Sequence, residues 1–393
     1  MTGESSATFF SPCPRGLESI LAKELEDLSA GKIEEHQGGV KYSGPFDLCY
    51  HVNLKSRIAS RVLWQIGYHS YQNEQDIYQA ALDLPWPTWI SAKHRIKVNV
   101  SAQHCPLPSL NYLTLRIKDA ICDHFRQATN LRPSVDTRSP DVSIFAFLDS
   151  NTVTLYLDTT GVPLFKRGFR LAPGPTPIRE NLAAGILRLA KWTPDQVLLD
   201  PMCGSGTFLL EAALIAANYP PGLGRRFTFE KLRQFDPQVW KSVCQESRTQ
   251  RRPVPPSILY GYDLDAASLD AARMNLDAAG FTDCIQLEQV DMLDVRPPHP
   301  QGILITNPPY GVRTGNEEEL AAWYPKLGDT LKQHFSGWRT FFLSADARFP
   351  KLLGLAAARK TPLFNGALEC RLLEYPIVQG TMRSRKKVVE LSS

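Results

Sequence analysis

Apolar residues recur along this chain with two different rhythms, and the change comes near residue 171. Beyond it, apolar positions 182, 183, 186, 187 and 190 fall on one helical face within 179–192. The pattern then predicts a buried strand over 196–200, a helix over 207–217, a strand over 258–263 and a helix over 266–279 closed by Gly280. Strands over 285–290 and 302–306, a helix over 320–335 and a strand over 340–344 follow. Strands alternating with helices imply a mostly parallel sheet covered on both faces. Asn365-Gly366 lies between strand-like runs at 362–364 and 368–375, which predicts a hairpin and an antiparallel end to the sheet.

The first 170 residues read as α+β. Apolar positions 17, 20, 21, 25 and 28 mark a helix over 16–28, and a second amphipathic helix lies within 111–128. Strand-like runs cover 95–100, 142–148 and 152–157, the last alternating in and out. Between the two patterns, residues 171–178 hold three prolines and a glycine, which can continue neither a helix nor a central strand. One segment, 218–257, interrupts the regular alternation with basic residues and prolines, and reads as a partly helical surface insertion.

Composition narrows the class only a little. With 43% apolar and 21% charged residues among 393, the chain can bury sizeable cores and is not a disordered polymer. Lys plus Arg exceeds Asp plus Glu by 44 − 40 = 4, too small a surplus to require or exclude an RNA partner. The eight cysteines contain no Cys-x-x-Cys pair and no zinc spacing, so reduced thiols and no metal are expected. A start without an apolar signal core, and no long apolar run, point to a soluble cytoplasmic protein with no membrane partner.

Candidate chemistry sits at the predicted strand ends. Asp200-Pro201-Met202-Cys203-Gly204-Ser205-Gly206-Thr207 joins a strand to a helix through a glycine turn, where backbone can approach a ligand closely. No Gly-Lys-Ser/Thr follows, so this is not a phosphate loop, and Leu209 stands where a dinucleotide fingerprint needs its third glycine. Asp200 at the mouth of the turn would repel pyrophosphate but suits a ligand carrying an ammonium and a sulfonium, S-adenosylmethionine. Asp263 ends the second strand, where a carboxylate can accept both ribose hydroxyls; Asp291 follows the third and can accept from the adenine amine. Each acid alone also fits a helix N-cap, and it is their order behind the glycine turn that joins them. Gly204, Gly206 and Thr207, with Cys203, Leu264 and Met292 beside the acids, complete the expected cofactor site; the thiol of Cys203 has no chemical role there. The fourth strand ends in Asn307-Pro308-Pro309-Tyr310-Gly311. Acceptors on the Asn307 side chain and the Pro308 carbonyl can hold both hydrogens of an exocyclic base amine, Tyr310 can stack on the base, and positioning then supplies most of the acceleration.

On these motifs, residues 198–311 resemble the class I S-adenosylmethionine-dependent amino-methyltransferases. The Asn-Pro-Pro-Tyr motif is shared by enzymes acting on adenine N6, guanine N2 and glutamine nitrogen, so it does not choose a substrate. Cys13-Pro14-Arg15-Gly16-Leu17-Glu18, with the stretches 38–42, 56–63, 155–161, 166–170 and 177–184, is similar to bacterial ribosomal RNA guanine-N2 methyltransferases that carry an RNA-binding THUMP domain. The likeness is greatest to the guanine-N2 module of the bifunctional 23S rRNA enzyme. It implies a ferredoxin-like domain over 1–65, a THUMP domain over 66–170, a linker over 171–178 and a Rossmann-like class I methyltransferase domain over 179–393, ending in the antiparallel hairpin. The chain stops at Ser393, so the second, 7-methylguanine-forming activity of the bifunctional enzyme is expected to be absent.

The implied partner is 23S rRNA or a large-subunit precursor, with no obligate protein partner. Lys166, Arg167, Arg170, Arg225 and Arg226 are the expected phosphate contacts, joined by the basic pair at 251–252 and the basic run at 383–387. The resemblance also places Arg179-Glu180 near the methionine end of the cofactor. Other readings are a tRNA guanine-N2 methyltransferase, a DNA adenine-N6 methyltransferase and a ribosome-assembly factor that binds RNA without turnover.

Overall fold

The structure, a computed structural model, describes residues 6–172, 178–309 and 317–378. In chain order the elements are β1 (Ala7–Pro12), α1 (Glu18–Asp27), β2 (Gly31–His36), β3 (Gly39–Gly44), α2 (Leu48–Lys55), β4 (Leu63–Ser70), α3 (Glu74–Leu82), β5 (Ile96–Ala102), α4 (Leu110–Thr129), β6 (Val142–Leu148) and β7 (Thr152–Asp158). Then come α5 (Glu180–Leu189), β8 (Leu198–Asp200), α6 (Thr207–Ala216), α7 (Pro237–Thr249), β9 (Leu259–Asp263), α8 (Ala266–Ala279), β10 (Ile285–Gln289), β11 (Gly302–Thr306), α9 (Glu317–His334), β12 (Trp338–Ser344), α10 (Phe349–Leu352), β13 (Arg359–Asn365) and β14 (Leu368–Pro376). Two compact units result. The first takes the chain up to Cys13, then Leu21–Leu164 and Pro220–Thr249; the second takes Pro14–Ile20, Phe165–Tyr219 and the chain from Gln250 on.

The second unit has the Rossmann-like architecture that the alternation predicts. Its sheet runs β10-β9-β8-β11-β12-β14-β13, parallel as far as β12 and antiparallel through β14 and β13. The hairpin turns at Asn365-Gly366, with Gly366 at φ +69°. Strand order reverses between β8 and β11, the switch point at whose carboxyl ends ligands bind in such sheets. Helix α6 is apolar nearly all round and correspondingly buried, as a helix wedged inside a domain must be. Its one charged residue, Glu211, is fully buried and held by Arg167.

The first unit is a single seven-stranded sheet, β2-β3-β1-β4-β7-β6-β5. Helix α4 buries Leu113, Ile117, Ile121 and Phe125. Strands β1, β2, β3 and β4 carry no clean alternation, because their faces mix glycine, charged and aromatic residues, and periodicity does not reveal them. Strand β4 pairs with β1 on one edge and with β7 on the other. The expected boundary at 65/66 therefore falls inside a strand that is hydrogen-bonded on both sides.

The segment 218–257 is partly helical, but it is not a surface excursion of the methyltransferase sheet: residues 220–249 are built into the first unit. Aromatic burial is the cause. Tyr50 of α2 lies 4.6 Å from the Phe229 ring and 6.0 Å from the Trp240 ring, and Phe227 stacks on Phe229 at 5.2 Å. The Tyr50 hydroxyl accepts from the Asp236 amide at 2.9 Å. The linker residues 173–177 lie outside the described residues.

Replacing Tyr50 by alanine should cost about 3–5 kcal/mol, the usual penalty for emptying a large aromatic site. Limited proteolysis checks this: Tyr50→Ala should be cut within 220–249 before any other place, at protease levels that leave the parent chain intact.

Candidate active site

The site is built from the carboxyl ends of β8, β9 and β11. Asp200 is only 1% exposed; its carboxylate accepts from the Thr306 hydroxyl at 2.7 Å and weakly from the Met202 amide at 3.4 Å. The turn after it closes through the Gly206 amide donating to the Cys203 carbonyl at 2.8 Å, while the Cys203 amide donates to the Tyr262 carbonyl at 2.9 Å. Gly204 and Gly206 have φ of +52° and +78°, the region that disfavours side chains. A Cβ at Gly204 would face open space, so the loop presents bare backbone there. The Gly204 amide donates to the Asp263 carboxylate at 2.8 Å, and the Asp265 amide donates to its other oxygen at 3.0 Å. One acid thus fixes both the glycine turn and the start of α8.

Asp200, Cys203, Gly204 and Asp263 line a cleft of about 630 Å³ that also takes in Thr207, Leu264, Asp291, Met292 and Asn307, whereas Gly206 shapes the turn without lining the cleft. Leu264 is 65% exposed, whereas Met292 and Cys203 are buried. The Asp291 carboxylate accepts from the Leu293 amide at 2.9 Å, a turn contact that aims it without using up both oxygens. Pro308 is buried beside Asn307, and Pro309 rather than Pro308 faces the cleft. Tyr310 and Gly311 lie outside the described residues. Periodicity missed Ile178, Phe208, Ser268, Glu319, Leu320 and Trp323, which also line the cleft. Phe208, Leu320 and Trp323 read only as apolar residues on predicted helices, which does not separate a cleft wall from a core, while Ile178 ends the predicted linker and Glu319 precedes the predicted helix.

Four carboxylates, Asp200, Asp263, Asp291 and Glu319, line this cleft, and among the described residues the lining contains no Lys or Arg. Burial pushes the Asp200 carboxyl up to about 7; the Thr306 hydroxyl and Met202 amide pull it down less, and the neighbouring Asp263 charge adds to the rise. Burial likewise raises the Cys203 thiol, which is a packing group here and no nucleophile. Such a cavity suits a cationic ligand rich in hydroxyls and repels phosphate.

The expected RNA contacts divide. Arg167 is buried, with Nε 3.0 Å from Glu211 Oε1, and cannot reach a phosphate. Arg170 pairs with Glu180 at 3.3 Å and donates to the Ile178 carbonyl and the Thr207 hydroxyl, so it braces the loop and α5 from within. Arg225 donates to the carbonyls of Val162, Pro163 and Leu164. These three are corrected to structural residues: a guanidinium already donating to a carboxylate or to several carbonyls of its own fold has no fork left for phosphate. Lys166 and Arg226 remain exposed, and Arg226 pairs with Glu230 at 3.0 Å. Arg251 lies over the Tyr219 ring, while 383–387 lie outside the described residues.

A family model described as RMKL-like, methyltransferase domain, matches residues 167–374, more than half the chain. The chain belongs to the RMKL-like methyltransferase family. A THUMP domain model matches 71–158, and the RlmL ferredoxin-like domain model matches 8–63. A Synechocystis sp. protein provisionally named an RNA methyltransferase is 37% identical, over 96% of this chain and 99% of its own. The Aeromonas hydrophila ribosomal RNA large subunit methyltransferase K/L is also 37% identical, over 97% of this chain but 56% of its own length. The chain thus spans little more than half of the K/L relatives it matches. Among solved structures, SMU.472, provisionally named a methyltransferase and complexed with SAH, aligns at a TM-score of 0.87 with 28% identity, covering 96% of this chain and 99% of that one. A Listeria monocytogenes protein named as a predicted N6-adenine-specific DNA methylase aligns at 0.86 with 29% identity, covering 95% and 97%.

Because Asp200 holds its proton to about pH 7 when folded and to about 3.8 otherwise, the native state binds the extra proton between those values. Its contribution to stability is therefore full below about pH 4 and is lost as pH rises through 7. In urea unfolding of the cofactor-free protein across this range, Asp200→Asn should lose less stability with rising pH than the parent, by a few kcal/mol in total. Parallel curves would assign the slope to another group.

Proposed function

We propose that this methyltransferase transfers the methyl group of S-adenosylmethionine to the exocyclic N2 amine of a guanine in 23S rRNA. The observation that carries the reading is the convergence, in one acidic cleft, of the Asp200–Thr207 turn, Asp263, Asp291 and Asn307. An acidic wall, an open glycine backbone and acids spaced along the strand ends fit a ligand with a sulfonium, an ammonium, a ribose and an adenine. Asp263 would hold the ribose hydroxyls, Asp291 the adenine amine, and the main chain around Gly204 the amino-acid end, with Met292 and Leu264 against the base. When bound, the cofactor supplies an activated methyl group.

The chain's own work is to hold the acceptor. Asn307 and the Pro308 carbonyl would accept the two amine hydrogens, and the two prolines limit the turn's freedom, so the nitrogen is oriented rather than chemically activated. Tyr310 would be the stacking partner of the target base. Support for RNA comes from the THUMP match and the names of the K/L and Synechocystis relatives. Support for the large-subunit RNA comes from the K/L name and the ferredoxin-like match. A cytoplasmic location follows from that substrate; among the described residues, no helix is long and apolar enough to cross a membrane. The Listeria neighbour's name keeps DNA adenine as the second reading.

Two substitutions separate the roles. Asp263→Ala should weaken cofactor binding by about 1–3 kcal/mol in calorimetry. Asn307→Ala should leave that affinity nearly intact and cut turnover by orders of magnitude; loss of both together would make Asn307 a cofactor or folding residue.

Nuclease mapping with mass spectrometry identifies the target. RNA from a strain lacking the gene should have lost one N2-methylguanine from 23S rRNA and kept its 7-methylguanines. An unchanged 23S profile with a mark missing from tRNA, or from adenine in DNA, would replace this reading.

A further inference from the structure

The first sheet buries one face and leaves much of the other in solvent. On the buried face lie Val153, Leu155 and Leu157 of β7 with Ile144, Ala146 and Leu148 of β6. On the opposite face, cross-strand pairing produces two rows. Tyr68, Thr154, Phe147 and Ser101 stand side by side on β4, β7, β6 and β5; Gln65, Tyr156, Phe145 and Asn99 form the next row. Directly paired residues share a face, so both rows point the same way.

Tyr68 belongs to this face only because of an irregularity. Gln65 and Tyr68 are three residues apart and would point to opposite sides of a regular strand. The register shift between Gln65 and Gly67 adds a residue and turns Tyr68 onto the same side as Gln65. The outcome is a large aromatic side chain 62% exposed, facing Phe147 at 37% exposure across the small, buried Thr154. Three strands at about 4.8 Å spacing separate those two rings by roughly 10 Å at their bases, enough for a planar base to enter between or beside them. Phe10 extends the aromatic run, 6.3 Å from the Tyr156 ring.

The chemistry between the rings favours a nucleic acid over a protein. Amides and hydroxyls, those of Gln65, Asn99 and Ser101, interleave with the rings, where a protein-docking patch would carry aliphatic side chains. At the margin, Lys41 pairs opposite Phe10 and the Arg61 guanidinium lies 5.5 Å from the Phe145 ring, each already matched by a carboxylate, so stacking and not charge carries the preference. The carboxylates at the margin are matched, Asp158 by Arg61 and Glu34 by Lys41. Exposed aromatics interleaved with hydrogen-bonding groups on an open sheet can stack unpaired bases, whereas a duplex keeps its base faces covered.

We propose that this sheet face is a stacking platform for single-stranded RNA, with Tyr68 and Phe147 as its outer rings. The proposal rests on the RNA reading above and adds the surface and the strandedness. The test uses the full chain and a short fluorescein-labelled RNA, offered single-stranded or annealed to its complement, with fluorescence anisotropy as readout. Tyr68→Ala and Phe147→Ala should each weaken single-strand binding roughly 5- to 150-fold, the equivalent of one lost base–ring stack. Tyr68→Phe should bind like the parent. Salt dependence, duplex binding and cofactor affinity should not change, because no phosphate contact is removed. If the parent binds the single strand and the alanine variants bind it equally well, or lose duplex binding in equal measure, the platform is wrong and the RNA reading stands. A parent that binds neither RNA would overturn that reading first. Unchanged RNA binding with loss of ribosomal-protein co-purification would assign the face to a protein.

Discussion

The buried hydrogen bond between Asp200 and Thr306 ties the ends of two adjacent parallel strands at the point where the sheet's order reverses. Everything in the cleft is measured from that tie. The turn through Gly204 departs from one partner, and Asn307 follows directly on the other. A carboxylate with 1% exposure is costly to keep charged, and its upward pKa records that cost. One hydroxyl and a long amide contact offset it only in part, so the carboxyl takes up a proton more readily than an exposed one. A cationic ligand favours the charged form, which links the burial of this carboxylate to the selectivity of the cleft.

Behind the turn lies a layer of committed polar groups. Asn275 of α8 accepts from the amides of Leu171 and Ala172 and donates to the Ser205 carbonyl at 3.0 Å. Arg170 reaches Thr207 at the turn's other end, and Arg167 neutralises Glu211 within α6. Removing one partner of such a buried pair leaves an uncompensated charge, at a cost of about 3–5 kcal/mol. The turn is thus held from below by side chains as well as by its own amides, and that lets its glycines offer open backbone without collapsing inward.

The first unit solves a different problem. A seven-stranded sheet with β4 hydrogen-bonded on both edges makes the ferredoxin-like and THUMP stretches one continuous framework. Aromatic burial then recruits residues 220–249, far along the chain, around Tyr50. A bulge in the same β4 sets which side Tyr68 faces, so a single extra residue decides the character of a surface.

The methyltransferase half was legible because its elements are long, periodic and punctuated. Each parallel strand from 258 onward was placed within about two residues, and the acids at their ends could be read as one constellation, since order along a parallel sheet maps directly onto position at its carboxyl edge. Ordinary strand periodicity could not find β1 to β4, whose short mixed faces owe their structure to pairing partners distant in sequence. Nor could it tell which arginines were available. Arg167 and Arg170 stand beside Lys166 in the sequence, and Arg225 beside Arg226, yet burial and a matching carboxylate or carbonyl decide which of them meets solvent. Local pattern determined the class of fold, the cofactor loop and the chemistry of the cleft. Tertiary packing alone decided the upward shift of the Asp200 pKa, the placement of 220–249 and the faces left open, because each depends on which distant groups share a desolvated space.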